Sequence, residues 1–222
     1  MTSSNDLTGE GRADHDDADL AQVRRLLEVM HTLRERCPWD SKQTHLSLMT
    51  YLIEETAEVV EAVENDSDEQ MVEELGDLLL QVVFHAEIGA ERGAFTLADL
   101  AGQVSDKLIA RHPYIYGDES VPTDVWGSWE KRKKAEKHRA SAVDDIPEPL
   151  SALARANKAV TRIRSNDVNV PLPDEPVTAI EVGQAIVDLV ARAQAAQIDP
   201  DQAVRQAVRE LEAKARQAEA AG

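Results

Sequence analysis

The sequence predicts an all-α protein, a helical bundle with a helical appendage towards its C-terminal end. Aromatic residues make up 4% of the 222 residues, and Gly and Pro number 10 and 9, a composition that favours helices over a β-rich fold. Apolar residues recur at intervals of three and four along most of the chain. No segment shows the two-residue alternation that is typical of a strand.

The first half divides into four predicted helices after a polar, Asp-rich stretch, residues 1–18, which predicts a disordered acidic tail. Apolar periodicity begins at Leu20 and stops before Cys37-Pro38, and the third helix is closed by Gly93. Thr96 is a good N-cap for the fourth helix. The predicted helices cover residues 20–36, 46–64, 69–92 and 97–110.

The second half begins where Arg111-His112-Pro113 ends the fourth helix, and a loop is predicted up to residue 124. A basic helix follows, then the Pro-containing break at 146–149, a further helix, and a linker with three prolines. Two Ala-rich helices end the sequence. The predicted ranges are 125–139 and 151–164 for the first two helices, with the last two helices falling within 177–222.

The charge balance limits the partners of the chain. Lys and Arg number 24 against 42 Asp and Glu, a formal net charge of −18, which disfavours nucleic-acid polymers and acidic membrane surfaces. A small anionic substrate remains possible if metal ions bridge it to acidic groups. One cysteine, no apolar run near the ~20 residues of a membrane span, and no signal-peptide pattern predict a cytoplasmic protein.

Two predicted helices carry closely spaced carboxylates. Residues three or four apart on a helix project to neighbouring points of its surface, so two such helices facing each other would crowd several carboxylates together. Carboxylates that close repel one another unless they bind protons or share cations, and Mg²⁺ or Mn²⁺ prefers oxygen ligands. The acidic residues are Glu54, Glu55, Glu58, Glu61, Glu74 and Asp77.

The two helices support a metal site unequally. On the first, Glu54, Glu58 and Glu61 lie opposite an apolar face, which is equally typical of a solvated surface, and Glu55 lies at the edge of that face. The second is apolar nearly all round and predicts a buried helix. Buried carboxylates need a partner, which favours metal coordination there. Its narrow polar seam contains Gln70, Glu74, Asp77, Gln81 and His85.

The stretch from about Leu26 to Ala142 closely resembles the MazG family of nucleoside triphosphate pyrophosphohydrolases. The resemblance rests on the order and spacing of several short motifs: Cys37-Pro38-Trp39-Asp40, Gln43-Thr44, the two acidic motifs, Phe84-His85-Ala86, Arg111-His112-Pro113 and Trp129-x-x-x-Lys133. It implies an all-α bundle that forms a homodimer. It also implies Mg²⁺-dependent hydrolysis of NTPs or dNTPs to the monophosphate and diphosphate, with Mn²⁺ as a possible substitute.

The resemblance also implies roles for single residues. Glu55, Glu58, Glu74 and Asp77 would be metal ligands, with Glu54 and Glu61 in support, and Trp129 and Lys133 would contact the nucleotide. Three further residues have two interpretations each: Trp39 and Asp40 contact the nucleotide or anchor their loop, and Arg111 reaches the phosphates or bonds to helix carbonyls. For Trp129, a packing role in the protein interior is as compatible with the sequence as a contact with the nucleotide. His85 is interpreted as a core residue.

The implied chemistry agrees with the residues. Hydrolysis of a phosphoanhydride needs charge neutralisation and a positioned water more than a protein nucleophile. No Ser-His-Asp or Cys-His arrangement and no Gly-rich phosphate loop is evident in the sequence. Glu54 is our first candidate for the group that accepts the proton. The function would be nucleotide-pool housecleaning or nucleotide-stress control.

The C-terminal helices resemble a degenerate second copy of the catalytic unit. Glu181-Val-Gly-Gln184 matches Glu74-Leu-Gly-Asp77, but an amide replaces the aspartate and no counterpart of the first acidic motif precedes it. The predicted organisation is therefore a tail at 1–18, a MazG-like catalytic domain at 19–145, a helix and linker at 146–176, and an inactive unit at 177–222.

Two alternative functions remain at the level of sequence. A helical interaction or regulatory module would present its acidic groups to a basic partner and would hydrolyse nothing. A dUTP or phosphoribosyl-ATP pyrophosphohydrolase would share the fold and the metal chemistry. The Cys-Pro-Trp-Asp and Arg-His-Pro motifs favour MazG over both.

Overall fold

A computed structural model describes residues 9–137 and 139–221 of the chain, with side chains described from residue 16 onwards. Every regular element in these ranges is helical, which confirms the all-α prediction. The helices are α1 (Gly9–Arg36), α2 (Met49–Glu64), α3 (Asp68–Glu91), α4 (Leu97–Arg111), α5 (Pro113–Tyr116), α6 (Val125–Glu136), α7 (Ala152–Ser165), α8 (Ala179–Ala195) and α9 (Pro200–Ala221), with a 3-10 turn at Asp40–Lys42.

Two elements differ most from the sequence prediction. Helix α1 starts at Gly9, because residues 9–19 contain no proline to stop a helix that continues from the apolar-periodic segment. The predicted disordered tail therefore overlaps a helix at residues 9–18, and its first eight residues lie outside the described part. The short helix α5 occupies part of a predicted loop, with Pro113 at its first turn, where proline is compatible with a helix.

The chain forms two compact units that divide within α4, at residues 1–106 and 107–222. In the first unit, α3 packs against α1 and α2. Its core residues come from both sides of the loop between α1 and α2 and from the second half of α3: Met30, Leu48, Val83, Phe84 and Ile88. Burial of these side chains positions the loop at residues 37–48 against α3.

The first half of α3 is open, which corrects the prediction that the whole helix is buried. Val72 is 76% exposed, and Leu75 and Leu79 are each more than 40% exposed. The apolar face of α2 is open too, with Ile53 at 68%. The physical reason is that the covered side of α2 carries Leu52, Glu55, Val59 and the buried Ala62, so only part of the predicted apolar stripe is covered and Ile53 lies outside it.

A pair of histidines joins the loop before α2 to the second half of α3. The Nδ1 atoms of His45 and His85 are 2.7 Å apart, and the His45 ring also stacks on Phe95. The Nε2 atom of His85 is buried and has no hydrogen-bond partner among the described residues. Burial, and then the charge of His45, lowers the pKa of His85. His85 is thus half-buried beside the core and paired with His45.

The second unit has its own core, formed by residues of α7 and α9 and of the segment before α7: Val143, Ile146, Ala159, Ile163, Val208 and Ala215. This core joins residues on both sides of the predicted boundary at 145/146, since Val143 and Ile146 pack against the same helices. Helix α8 contacts α9 but buries none of its residues. None of the helices in the described ranges is sufficiently long and apolar to cross a bilayer.

The low pKa of His85 predicts a specific pH dependence of stability. Because the folded state binds this proton less readily than the unfolded chain does, the associated stability is present above the ordinary histidine pKa of 6.5. It is lost as the pH falls from there through the folded-state pKa. Urea midpoints of the wild type should therefore fall more steeply between pH 7.5 and 5 than those of His85→Gln.

His31→Gln provides a control of opposite sign. A hydrogen bond to Glu87 raises the pKa of the exposed His31, so its contribution is present at low pH and is lost as the pH rises. Equal pH slopes for the wild type and His85→Gln would contradict the assignment of a lowered pKa to His85.

Candidate metal centre

The turn between α2 and α3 brings the two acidic motifs together. Ser67 caps α3 by accepting a hydrogen bond from the backbone N–H of Gln70, and the two helices pack against each other on either side of this turn. Glu55 and Glu58 of α2 thereby face Glu74 of α3. One carboxylate oxygen of each lies within 4.8 Å of the others, and Glu55 and Glu74 are half-buried.

The electrostatics of the cluster are those of unneutralised like charges. Partial burial, and then the charges of Asp77 and Glu58, raises the pKa of Glu55. Partial burial, and then the charge of Glu58, raises the pKa of Glu74. None of the three forms a salt bridge with a side chain in the described part of the protein. A cation among these oxygens would remove the repulsion, so the residues fit a divalent metal ion.

The remaining predicted acidic residues lie at the edge of this cluster. Asp77 and Glu54 are exposed, and the negative charge of each contributes to the raised pKa of Glu55. The charge of Glu61, also exposed, contributes in the same way at Glu74. The sequence had predicted a nearly solvent-free environment for Asp77, and that prediction is wrong, because the first half of α3 is open.

Trp39 and Asp40 lie in the loop between α1 and α2, in the same compact unit. Trp39 is 49% exposed, and its ring meets Tyr51 and Phe84 edge-on, at centroid distances of 5.9 and 6.4 Å. The backbone carbonyl of Asp40 accepts a hydrogen bond from Arg34. Sequence reasoning missed Arg34, because an arginine in the last turn of a helix normally carries no signal beyond its interaction with the helix dipole.

Arg111, Trp129 and Lys133 belong to the second unit. Arg111 is buried, and its guanidinium pairs with Glu136 through Nη2 at 2.7 Å instead of bonding to helix carbonyls. The same guanidinium lies 5.0 Å from the centre of the half-buried Trp129 ring, a cation–π contact. Burial lowers the pKa of Lys133, whose Nζ is 3.7 Å from the buried Glu130 carboxylate.

The motif at Glu181 and Gln184 has a local structural role. The Glu181 carboxylate accepts hydrogen bonds from the backbone N–H of Thr178, at 2.8 Å, and from its hydroxyl, forming a capping box at the start of α8. Gln184 donates to Asp188. Glu181 is therefore engaged as a cap, and its pKa is lowered by the backbone and hydroxyl hydrogen bonds of Thr178.

The helical fold and a carboxylate cluster shared by two helices define a class of all-α proteins with a candidate divalent-metal site. Comparison with known proteins narrows this class. Residues 43–116, which contain the cluster, match the family model of the MazG nucleotide pyrophosphohydrolase domain. The chain therefore contains a MazG-family domain.

Several relatives are similar to the chain. An uncharacterized 26.1 kDa protein from Streptomyces cacaoi is 39% identical over 90% of this chain and 88% of its own length. The nucleoside triphosphate pyrophosphohydrolase/pyrophosphatase MazG of Thermotoga maritima is 47% identical over 60% of this chain, and the nucleoside triphosphate pyrophosphohydrolase of Escherichia coli K12 is 42% identical over 64%. The matches span only 53% and 57% of those two enzymes.

A solved structure of a mazG-related protein from Thermotoga maritima aligns with 50% of this chain and 98% of its own. The TM-score is 0.44 and the sequence identity 28%.

Replacement of Glu55 by Gln should have opposite effects on stability with and without metal. Without divalent ions, loss of one of several repelling charges should raise the melting temperature at pH 7.5. With Mg²⁺, the wild type should gain stability, by about 2.7 kcal/mol at an ion concentration 100 times the dissociation constant, and Glu55→Gln should gain much less. Calorimetry in EDTA and in MgCl₂ measures both effects.

Glu64→Gln is the matched control, since Glu64 is an exposed glutamate at the end of the same helix. It should leave the Mg²⁺-dependent gain intact. If Glu55→Gln and the wild type gain equally from Mg²⁺, Glu55 is not a metal ligand.

Proposed function

We propose that the chain is a Mg²⁺-dependent nucleoside triphosphate pyrophosphohydrolase that converts an NTP or dNTP and water to the monophosphate and diphosphate. The observation that carries the proposal is the cluster of Glu55, Glu58 and Glu74, which lies inside the family-matched segment. The names of the Thermotoga and Escherichia relatives agree with this activity. Because the chain spans about half of those enzymes, the activity of the whole protein is part of the proposal.

The acidic residues have distinct proposed roles. Glu55, Glu58, Glu74 and Asp77 hold Mg²⁺, for which Mn²⁺ is a possible substitute. When bound, the metal would neutralise phosphate charge and lower the pKa of the attacking water. Glu54 lies next to Glu55 on the same helix, and its exposed carboxylate accepts the proton from that water.

The nucleotide is held by groups outside the acidic cluster. Trp39 is half-exposed, which leaves it accessible for base stacking, and Asp40 adjoins it in the same loop. Arg111, Trp129 and Lys133 are further candidate contacts with the nucleotide, two of them cationic and one aromatic. The lowered pKa of Lys133 follows mainly from burial, and a phosphate anion would stabilise its charged form.

The substrate is a free nucleotide, and the biological role is nucleotide-pool housecleaning or nucleotide-stress control in the cytoplasm. Nucleic-acid polymers are disfavoured as partners by the net charge of −18.

The protein acts as a homodimer. The exposed apolar side chains of α2 and α3 support this, because contiguous exposed apolar surface is typical of an interface. The helices at 177–222 form the degenerate unit with a packing or regulatory role, in agreement with the use of Glu181 as a helix cap.

Nucleotide hydrolysis should be detected directly in a panel of the four NTPs and four dNTPs with Mg²⁺. Chromatography should show monophosphate and diphosphate in equal amounts, and EDTA should abolish both. A dUTP-specific or phosphoribosyl-ATP-specific enzyme would hydrolyse one substrate only, with phosphoribosyl-ATP added to the panel. Release of orthophosphate alone would rule out the pyrophosphohydrolase, and no product at all would favour the alternative of an acidic interaction module.

Glu58→Ala and Asp77→Ala should each reduce Mg²⁺-dependent turnover by at least about 100-fold, because loss of a ligand costs no less than loss of its supporting groups. Both side chains are exposed in the single chain, so neither change should unfold the protein. Steady-state kinetics with circular dichroism checks both points, and Glu64→Ala is the control on α2. Wild-type turnover in either variant would remove that residue from the ligand set.

A further inference from the structure

Arg34 is joined to the loop of Trp39 and Asp40 by a set of contacts that no motif indicates. Its Nη1 donates to the backbone carbonyls of Asp40 and Gln43, the latter at 3.0 Å. Both carbonyls belong to the loop between α1 and α2. The guanidinium therefore binds the two ends of the 3-10 turn that follows Trp39.

Glu91 holds this guanidinium in place. Arg34 Nε and Nη2 donate to the two carboxylate oxygens of Glu91, at 2.7 and 2.6 Å, in a bidentate pair. The Arg34 side chain is only 8% exposed. Its hydrogen bond to Glu91 is the main cause that raises the pKa of Arg34 and lowers the pKa of Glu91. A bidentate pair at low exposure fixes the orientation of the guanidinium plane, which a lysine ammonium would not do.

The same guanidinium also contacts Phe84, an aromatic neighbour of Trp39. Its central carbon lies 5.7 Å from the centre of the Phe84 ring, which in turn packs edge-on against Trp39. Gln43 adds a second constraint, because its side-chain amide donates to the carbonyl of Trp39 at 3.0 Å and its amide oxygen accepts from Ser47 at 2.7 Å. Both the backbone and the ring of Trp39 are therefore placed through contacts that begin at Arg34.

We propose that Arg34, oriented by Glu91, is a positioning residue that holds the Trp39–Asp40 loop in the conformation that receives the nucleotide. This inference rests on the proposed function, since it takes Trp39 and Asp40 as nucleotide contacts. Arg34 itself touches no substrate. The ordering of the loop before binding lowers the entropic cost of binding, so the loss of the clamp raises KM more than it lowers kcat.

The test compares Arg34→Lys and Glu91→Gln with a variant of a neighbouring contact. His31→Gln is the matched control, because His31 binds Glu87 at 2.7 Å across the same pair of helices, one turn away, and does not contact the loop. Melting temperatures establish that all variants fold. KM and kcat are measured with the best substrate of the nucleotide panel, and hydrogen exchange of residues 37–44 reports loop order directly.

The expected result is that KM rises about tenfold in Arg34→Lys and Glu91→Gln, with kcat within about a factor of two of the wild type. Amide exchange in residues 37–44 should accelerate in both variants and not in His31→Gln. In the Asp40→Ala background, Arg34→Lys should raise KM by less than it does alone. The reason is that Arg34 is proposed to position Asp40, and this nucleotide contact is already missing in that background.

An unchanged KM in Arg34→Lys overturns the inference even if the loop exchanges faster, since the clamp would then be structural only. An equal rise of KM in His31→Gln overturns it as well, because the effect would come from helix pairing. A wild-type protein without turnover is a different outcome. It refutes the proposed function, and the positioning role with it, whereas an active wild type with an unaltered Arg34→Lys variant refutes the positioning role alone.

Discussion

The packing of α2 against α3 is the constraint on which the rest of the candidate site depends. A short turn forces two helices with acidic motifs side by side, and their contact includes Glu55 and the buried Ala62. Partial burial, and then the repulsion from neighbouring carboxylates, raises the pKa of Glu55 and of Glu74. Apolar burial elsewhere in the unit compensates for that repulsion, and a bound cation would reverse its sign.

Helix α3 links the chemistry at its first half to the order of the loop at its second half. Glu74 contributes to the acidic cluster, Phe84 supports Trp39, and Glu91 orients Arg34. Glu74 and Glu91 are 17 positions apart, about 25 Å along a helix. The open half carries the charged groups that need access to solvent and substrate. The buried half carries the core that keeps the helix in place.

The helical fold was largely predictable from local sequence. Apolar periodicity, Thr96 as a cap and Gly93 as a terminator predicted helix positions to within a few residues, because caps and turns act over short distances along the chain. The start of α1 and helix α5 were not predictable in this way. Both depend on whether a segment without strong stop or start signals continues as helix, and local propensity leaves that undecided. The burial of α3 was predicted wrongly for the same kind of reason, since periodicity shows which face is apolar but not whether a neighbour covers it.

The sequence by itself determined the helical class, the family and the set of carboxylates, because these follow from residue types and their spacing. Only the tertiary structure decided which carboxylates meet. It brought Glu55, Glu58 and Glu74 together and left Asp77, predicted to be buried, at the exposed edge. It also bound Arg34 of α1 to the loop carbonyls and to Glu91, a carboxylate that lies 57 residues away in the chain. Contacts of that separation depend on the packing of whole helices, which the local pattern of residues does not specify.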